Sequence, residues 1–240
     1  MSYRHLLKYF LFLVVVITFV ILYFKVRIFL TVRISKQLIS KAVPYKNESS
    51  DLHKTLLVLG DSTAVGVGAD QTSESIPALI AQKVQVTYTE NYAVSGSVVS
   101  SLPSQIEQAK LDHYDIIFIQ IGANNIVARD DAKQIGVELE EILWKLKKRG
   151  EKIIFTTAGD VGGAPAIPYP IHYYYKNLSL SYHKEFEALA KKLAITYVNL
   201  YDDPRNDPFK QNSQEYFAKD GFHPSTLGYA YWFSKIERKL

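Results

Sequence analysis

The chain has 240 residues, 48% of them hydrophobic and 22% charged, which is enough for one sizeable folded domain and an extension. It contains no cysteine, so disulfides and thiolate chemistry are excluded. The net charge is +4, but residues 1–50 hold eight Lys or Arg and one acid, a charge of +7, which leaves −3 for residues 51–240. This mildly acidic remainder argues against a nucleic-acid-binding surface.

The first predicted element is a membrane span. Residues 9–24 contain no charge, proline or glycine, and a short extension of this run, with Lys8 and Lys25 reaching outwards, matches a hydrocarbon core of ~30 Å. A cleaved signal peptide is the alternative, but no small-residue cleavage site follows the run. We therefore expect a single-pass anchor in residues 1–34, spanning about 6–24, with a basic flank for anionic lipids. The charges on its two sides leave open which side of the membrane carries the rest of the chain.

Residues 35–54 are expected to link this anchor to a domain of residues 55–240, because residues 40–54 are polar. In the domain, short apolar runs alternate with helical patterns. The predicted strands are Leu56–Leu59, Val84–Thr89, Ile116–Ile121, Ile153–Thr157 and Thr196–Leu200, and helices are predicted around residues 135–146, Tyr182–Leu193 and Thr226–Lys239. This alternation predicts an α/β fold with a mostly parallel sheet covered by helices on both faces.

Polar loops that contain glycine follow the first three predicted strands. They begin with the sequences GDSTAVG, ENYAVSGS and GANN. Because ligands of parallel sheets bind at the carboxyl ends of the strands, we expect the three loops to lie together. Ser62, in the first loop, is either an ordinary turn residue or a nucleophile presented at the strand end.

A serine nucleophile needs a base, and the base needs a group that orients it. In the sequence KDGFHPS, residues 219–225, Asp220 and His223 are three positions apart across a glycine-containing turn. The same segment also suits a helix entry capped by Ser225, and both interpretations can hold. Candidate donors to an oxyanion are the backbone N–H of Ser62, an N–H at Gly96 and the side-chain amide of Asn124.

The blocks GDS, SGS, GANN and DGFHP occur in the order found in the SGNH, or GDSL-type, hydrolases, and the chain resembles this family from residue 55 to its end. The resemblance implies a flavodoxin-like three-layer α/β/α sandwich. It also implies that Ser62 is the nucleophile, His223 the general base and Asp220 its orienter. The oxyanion hole would comprise Ser62, Gly96 and Asn124, and neither a metal nor a cofactor would be required.

One position departs from the family pattern. The third block is commonly Gly-x-Asn-Asp, and Asn125 stands here in place of the acid. This difference bears on the geometry of the loop rather than on a catalytic position. Asp61, the second residue of the GDS block, is expected to brace the turn.

The resemblance and the anchor together predict a membrane-anchored serine esterase or lipase that cleaves carboxylic or thio esters through an acyl-enzyme. Lysophospholipid-like molecules are the first candidate substrates, and the partners are an ester substrate and the membrane. One alternative is an O-acetyl esterase or acyltransferase that acts on cell-envelope polysaccharide. An alternative of another class is a non-catalytic, membrane-tethered binding module.

Residues 158–182 form a long segment rich in glycine, proline and aromatic residues after the fourth predicted strand. Its position at the active end of the sheet suggests a wall or lid that contacts an acyl or aryl group. The candidate contacts are Tyr169, Tyr173, Tyr174 and Tyr175; the alternative is a surface loop packed on its own rings. Asp160 in this segment is either a turn residue or part of the site. The histidines other than His223 show no metal-ligand spacing.

Overall fold

A computed structural model describes residues 3–50 and 52–240. The first two residues of the predicted anchor, and Asp51 of the predicted linker, lie outside this description. Helix α1 (Tyr3–Lys41) has 39 residues and is therefore about 58 Å long. It extends through the first part of the predicted linker. By length and composition, α1 is the one helix of the described residues that could cross a membrane, with a mean hydropathy of 2.6 in its most apolar window.

Six strands form one sheet in the order β1–β3–β2–β4–β5–β6. The short β1 pairs antiparallel with β3, and all other neighbours are parallel. The bounds are β1 (Asn47–Glu48), β2 (Thr55–Gly60), β3 (Tyr88–Asn91), β4 (Tyr114–Gln120), β5 (Gly150–Thr156) and β6 (Thr196–Val198).

The helices cover both faces of this sheet. They are α2 (Ser62–Val65), α3 (Ile76–Val84), α4 (Leu102–Ile106), α5 (Ala123–Ala128), α6 (Ala132–Leu146), α7 (His172–Leu193), α8 (Pro208–Gln211), α9 (Ser213–Tyr216) and α10 (Thr226–Ile236). Alternate strand residues face opposite sides, as the period of a β-strand requires. Leu57 and Leu59 pack with α6 and α7, whereas Leu56 and Val58 pack with α3 and α10. The predicted three-layer α/β/α fold is thus confirmed.

The largest differences from the predicted element bounds are at the start of β3 and at the start of α7. Val84 is the last residue of α3, and Gln85 ends that helix in the left-handed conformation, so the strand predicted from Val84 begins only at Tyr88. The second predicted helix starts ten residues early, at His172, because the connection after β5 ends there. Tyr173, Tyr174 and Tyr175 therefore lie in helix α7 rather than in a loop.

Candidate active site

The strand β2 ends in a turn that has room only for glycine. Gly60 has a φ of +145°, and a Cβ built on it would lie 2.0 Å from the backbone oxygen of Gln120. The next residue, Asp61, caps α2: its Oδ1 accepts hydrogen bonds from the backbone N–H of Thr63 at 2.9 Å and from its hydroxyl at 2.7 Å. Ser62 is consequently the first residue of α2 and stands directly past the carboxyl end of β2.

Ser62, His223 and Asp220 form a continuous series of hydrogen bonds. The Oγ of Ser62 lies 3.0 Å from Nε2 of His223, and Nδ1 of His223 lies 2.6 Å from Oδ2 of Asp220. With the proton on Nδ1, the ring donates to the carboxylate and its Nε2 is free to accept from the serine. All three residues are buried. This arrangement can take the proton of the serine hydroxyl and hold the resulting imidazolium beside a carboxylate.

The loop that carries His223 is fixed from both of its ends. The backbone oxygen of His223 accepts from the N–H of Ala218 at 2.8 Å, and Ser225 caps α10 by accepting from the N–H of Gly228 at 3.2 Å. The helix-entry interpretation and the base-and-orienter interpretation therefore describe the same segment.

The carboxyls of Asp220 and Asp61, which lie next to His223 and Ser62, have opposite pKa shifts. Burial acts to raise the pKa of Asp220, but the hydrogen bond and charge of His223 and further donors outweigh it and lower the pKa to about 2. The Asp61 carboxylate accepts from the N–H and hydroxyl of Thr63, but burial outweighs these bonds and raises its pKa to about 6. Asp220 is therefore an anion at neutral pH, as an orienter of an imidazole must be.

The sheet order places the Gly96 and Asn124 loops on either side of Ser62, since β3 and β4 both pair with β2. Gly96 has a φ of +87° and is exposed. Asn124 lies at the start of α5, and its Nδ2 donates to the backbone oxygen of Ser97 at 2.9 Å. The three loops thus meet at one edge of the sheet, as expected from the parallel order of the strands.

Gln105 of α4 connects these loops and was not found by sequence reasoning. Its Oε1 accepts from the N–H of Gly60 at 2.8 Å, while its Nε2 donates to the oxygen of Gly60 at 2.9 Å and to Oγ of Ser97 at 3.0 Å. The side chain is buried. The one signal in the sequence is a polar residue three positions after the core residue Leu102, where helical spacing predicts an apolar side chain.

Asn125, the departure from the family pattern, is also buried, and both polar atoms of its side chain are hydrogen-bonded. Its Oδ1 accepts from the N–H of Val99 at 3.0 Å, and its Nδ2 donates to Oδ2 of Asp130 at 2.8 Å. The amide thus ties the third loop both to the segment after Gly96 and to a carboxylate that needs a donor.

A cavity of about 40 Å³ opens beside Ser62 and His223 and has room for only a few water molecules. Its apolar walls include Phe209, Phe222 and Trp232. Charged groups lie there too, since Asp160, Asp207 and Lys210 are lining residues and Nζ of Lys210 lies 2.7 Å from Oδ2 of Asp160.

The four tyrosines proposed as substrate contacts are not among the lining residues of this cavity. Tyr169, Tyr173 and Tyr174 are exposed. Tyr175 is buried, and its hydroxyl contacts the backbone oxygen of Val127 and the Nε of Arg129. The loop before them does reach the cavity, through residues 158–161. Within residues 3–50 and 52–240, no group of three or more His, Asp or Glu is arranged to hold a metal ion.

A three-layer α/β/α fold with a serine, a histidine and an aspartate in hydrogen-bonded series at the carboxyl ends of its strands defines a protein of the serine-hydrolase class. The family model of GDSL-like lipases and acylhydrolases matches residues 58–231, and the chain belongs to this family.

Relatives and solved structures agree with this assignment. A GDSL-like esterase of Mycobacterium tuberculosis is 26% identical over 187 residues, which cover 75% of this chain and 59% of that protein. A lipolytic G-D-S-L protein of Veillonella parvula shares the fold at a TM-score of 0.63 and 18% identity. The match covers 77% of this chain and 97% of the Veillonella protein. An acetyl-xylooligosaccharide esterase of Geobacillus, solved as a mutant, also shares the fold. Its TM-score is 0.59 and its sequence identity 18%, and the match covers 81% of this chain and 96% of the esterase.

Proposed function

We propose that the protein is a membrane-anchored serine esterase that cleaves carboxylic or thio esters. The observation that carries the proposal is the hydrogen-bonded series Ser62–His223–Asp220 at the mouth of a cavity. Membership of the GDSL-like lipase and acylhydrolase family supports it, because the match covers residues 58–231.

In the proposed reaction, Oγ of Ser62 attacks the ester carbonyl while Nε2 of His223 takes the hydroxyl proton. Asp220 holds the ring and stabilises its charged form. The negative oxygen of the tetrahedral intermediate is stabilised by N–H groups of Ser62, Gly96 and Asn124. His223 then returns the proton to the leaving alcohol or thiol, and an acyl-enzyme remains. Water activated by His223 releases the acid and restores Ser62.

The membrane anchor is part of the proposal. Helix α1 is apolar and exposed over residues 9–23, and it continues without a break into the part that contacts the domain. A helix of this kind at an N-terminus is either an anchor or a signal sequence. We favour the anchor because the apolar run is long and no small-residue cleavage site follows it.

Two substrate classes follow from different features. An anchor beside the site favours lipid-like esters such as lysophospholipids, since the substrate then shares the bilayer with the enzyme. The small cavity favours a short acyl group, as in the O-acetyl esters of cell-envelope polysaccharide, with hydrolysis or transfer of the acetyl group.

The test uses the full chain in detergent micelles, with Ser62→Ala as the matched control. Both proteins are assayed on p-nitrophenyl esters from acetate to palmitate. Turnover that depends on Ser62 is expected, and the preferred chain length selects between the two substrate classes. No turnover at any length by the wild-type chain would contradict the esterase and favour a non-catalytic binding module.

A further inference from the structure

The part of α1 that follows the apolar run lies against the domain. The guanidinium of Arg27 donates to the backbone oxygen of Pro165, in the loop after β5 that borders the cavity. Farther along, Leu38 and Ala42 pack on the core between the sheet and helices α3 and α10. Between these contacts, the hydroxyl of Ser35 donates to Oδ2 of Asp220 at 2.6 Å. Ser35 lies about 15 Å along the helix axis from Lys25.

The bond from Ser35 completes the hydrogen bonding of a buried carboxylate. Oδ1 of Asp220 accepts from the backbone N–H groups of Phe222 at 2.9 Å and His223 at 3.0 Å. Oδ2 accepts from Nδ1 of His223 and from Ser35. A carboxylate has about four acceptor sites, and these donors occupy all of them. Since the Asp220 side chain has no exposed surface, water cannot replace a lost donor at low cost.

We propose that Ser35 is a positioning residue of the active site, so that the helix leaving the membrane supplies the last hydrogen bond that holds Asp220 in place. This inference rests on the proposed esterase function. Three of the four donors come from the His223 loop itself, and only Ser35 ties the carboxylate to a separate element. Without it, the Asp220–His223 pair can turn as a unit, and Nε2 loses its alignment with Oγ of Ser62.

The loss of this bond also has an electrostatic effect. The hydrogen bond from Ser35 is one of the interactions that lower the pKa of Asp220, so its removal raises that pKa. The other titratable groups that interact with the site are His223, Asp61 and Tyr229. Asp220 itself titrates far below the acidic limb of the kcat/KM profile, but a carboxylate with one donor fewer interacts more strongly with the imidazolium of His223. Replacing Ser35 is therefore expected to move this limb, where the base becomes protonated, to higher pH, which a loss of packing alone would not do.

The experiment compares Ser35→Ala, Ser35→Thr and Ser40→Ala in the full chain in micelles. Ser40 is the matched control, because it is an exposed serine of the same helix that bonds only to the backbone oxygen of Gln37. Ser35→Ala is expected to lower kcat on the order of 10-fold with KM unchanged, and to shift the acidic limb. Ser35→Thr keeps a hydroxyl and is expected to recover most of the lost activity. Ser40→Ala is expected to match the wild type.

A second readout keeps the inference separate from the esterase activity. The proton on Nδ1 of His223, hydrogen-bonded to Asp220, gives a low-field NMR resonance that does not depend on turnover. A shift of this resonance in Ser35→Ala but not in Ser40→Ala supports the positioning role, even if the wild type has no turnover and the proposed function fails. An unshifted resonance overturns the inference. If the wild type is active, a Ser35→Ala variant with unchanged kcat and an unchanged pH profile also overturns the inference.

Discussion

The substitution Asn125→Asp, which introduces the acid common at this position of the family, is expected to destabilise this chain. In the wild type, Nδ2 of Asn125 donates to Oδ2 of Asp130 at 2.8 Å, and its Oδ1 accepts from the N–H of Val99. An acid at this position still accepts from the N–H of Val99, but it places a second carboxylate against Asp130 where the amide donated a hydrogen bond. Asn125 is only 2% exposed, so the new charge is poorly hydrated.

The cost follows from these contacts. Loss of a hydrogen bond to a charged group costs about 1.5–3 kcal/mol, and repulsion between adjacent carboxylates adds to it. Asp130 is half-buried, so solvent screens part of the repulsion, and the total at pH 7 is about 2–4 kcal/mol. For a domain of this size, that lowers Tm by roughly 5–15 °C. At pH 4 the pair can share a proton, and the loss is expected to be smaller.

Thermal unfolding of the full chain, at pH 7 and at pH 4, measures this difference. The double variant Asn125→Asp/Asp130→Asn exchanges the two groups and is the control: it restores a donor opposite a carboxylate and should recover most of the Tm. A single variant as stable as the wild type at pH 7 would show that the hydrogen bond between Asn125 and Asp130 does not stabilise the fold. A double variant no more stable than the single one would show that the contact between positions 125 and 130 does not cause the loss of Tm.

Two further substitutions test the turn that presents Ser62. Burial raises the pKa of Asp61 to about 6, above the ordinary 3.8. Between about pH 4 and pH 6 the folded state therefore retains a proton that the unfolded state releases, so the contribution of Asp61 to stability falls as the pH rises through this range. Asp61→Asn keeps the cap and should raise the stability at pH 7 by up to about 3 kcal/mol, with no gain at pH 4; a Tm difference independent of pH would contradict this. Gln105→Met leaves the N–H of Gly60 without its acceptor and removes one of the two donors to the Gly60 oxygen, which keeps only the N–H of Val94. It should lower both Tm and kcat, whereas Gln108→Met, at an exposed position, should change neither. Equal effects of these two variants on unfolding and turnover would argue against the role of Gln105.

The sheet and the cluster of loops were predictable because each depends on short-range sequence features. Strands buried on both faces appear as continuous apolar runs, and parallel order brings the loops after them to one edge. Asp220 and His223 are separated by two residues, so their contact follows from local geometry. The partnership of Ser62 with His223 is not local; it was inferred from the need of a serine nucleophile for a base and from the family resemblance.

The contacts that sequence reasoning missed connect elements far apart in the chain. Ser35 and Asp220 are 185 residues apart, and Gln105 and Gly60 are 45 apart. No periodicity reports such pairs. The start of α7 was missed for another reason: Ser179 occupies a buried position of that helix, where it donates to the backbone oxygen of Tyr175, so the apolar pattern is interrupted. The boundary between anchor and domain at residues 35–54 stays a prediction, although α1 continues through part of it.

The most direct test of the account is covalent labelling of Ser62. The full chain in micelles is treated with a fluorophosphonate, and the modified peptide is identified by mass spectrometry. We expect one adduct, on Ser62, that is absent from Ser62→Ala and forms far more slowly in His223→Ala because the hydroxyl has lost its base. An unlabelled wild type, an adduct on another serine, or the same labelling rate in His223→Ala would contradict it.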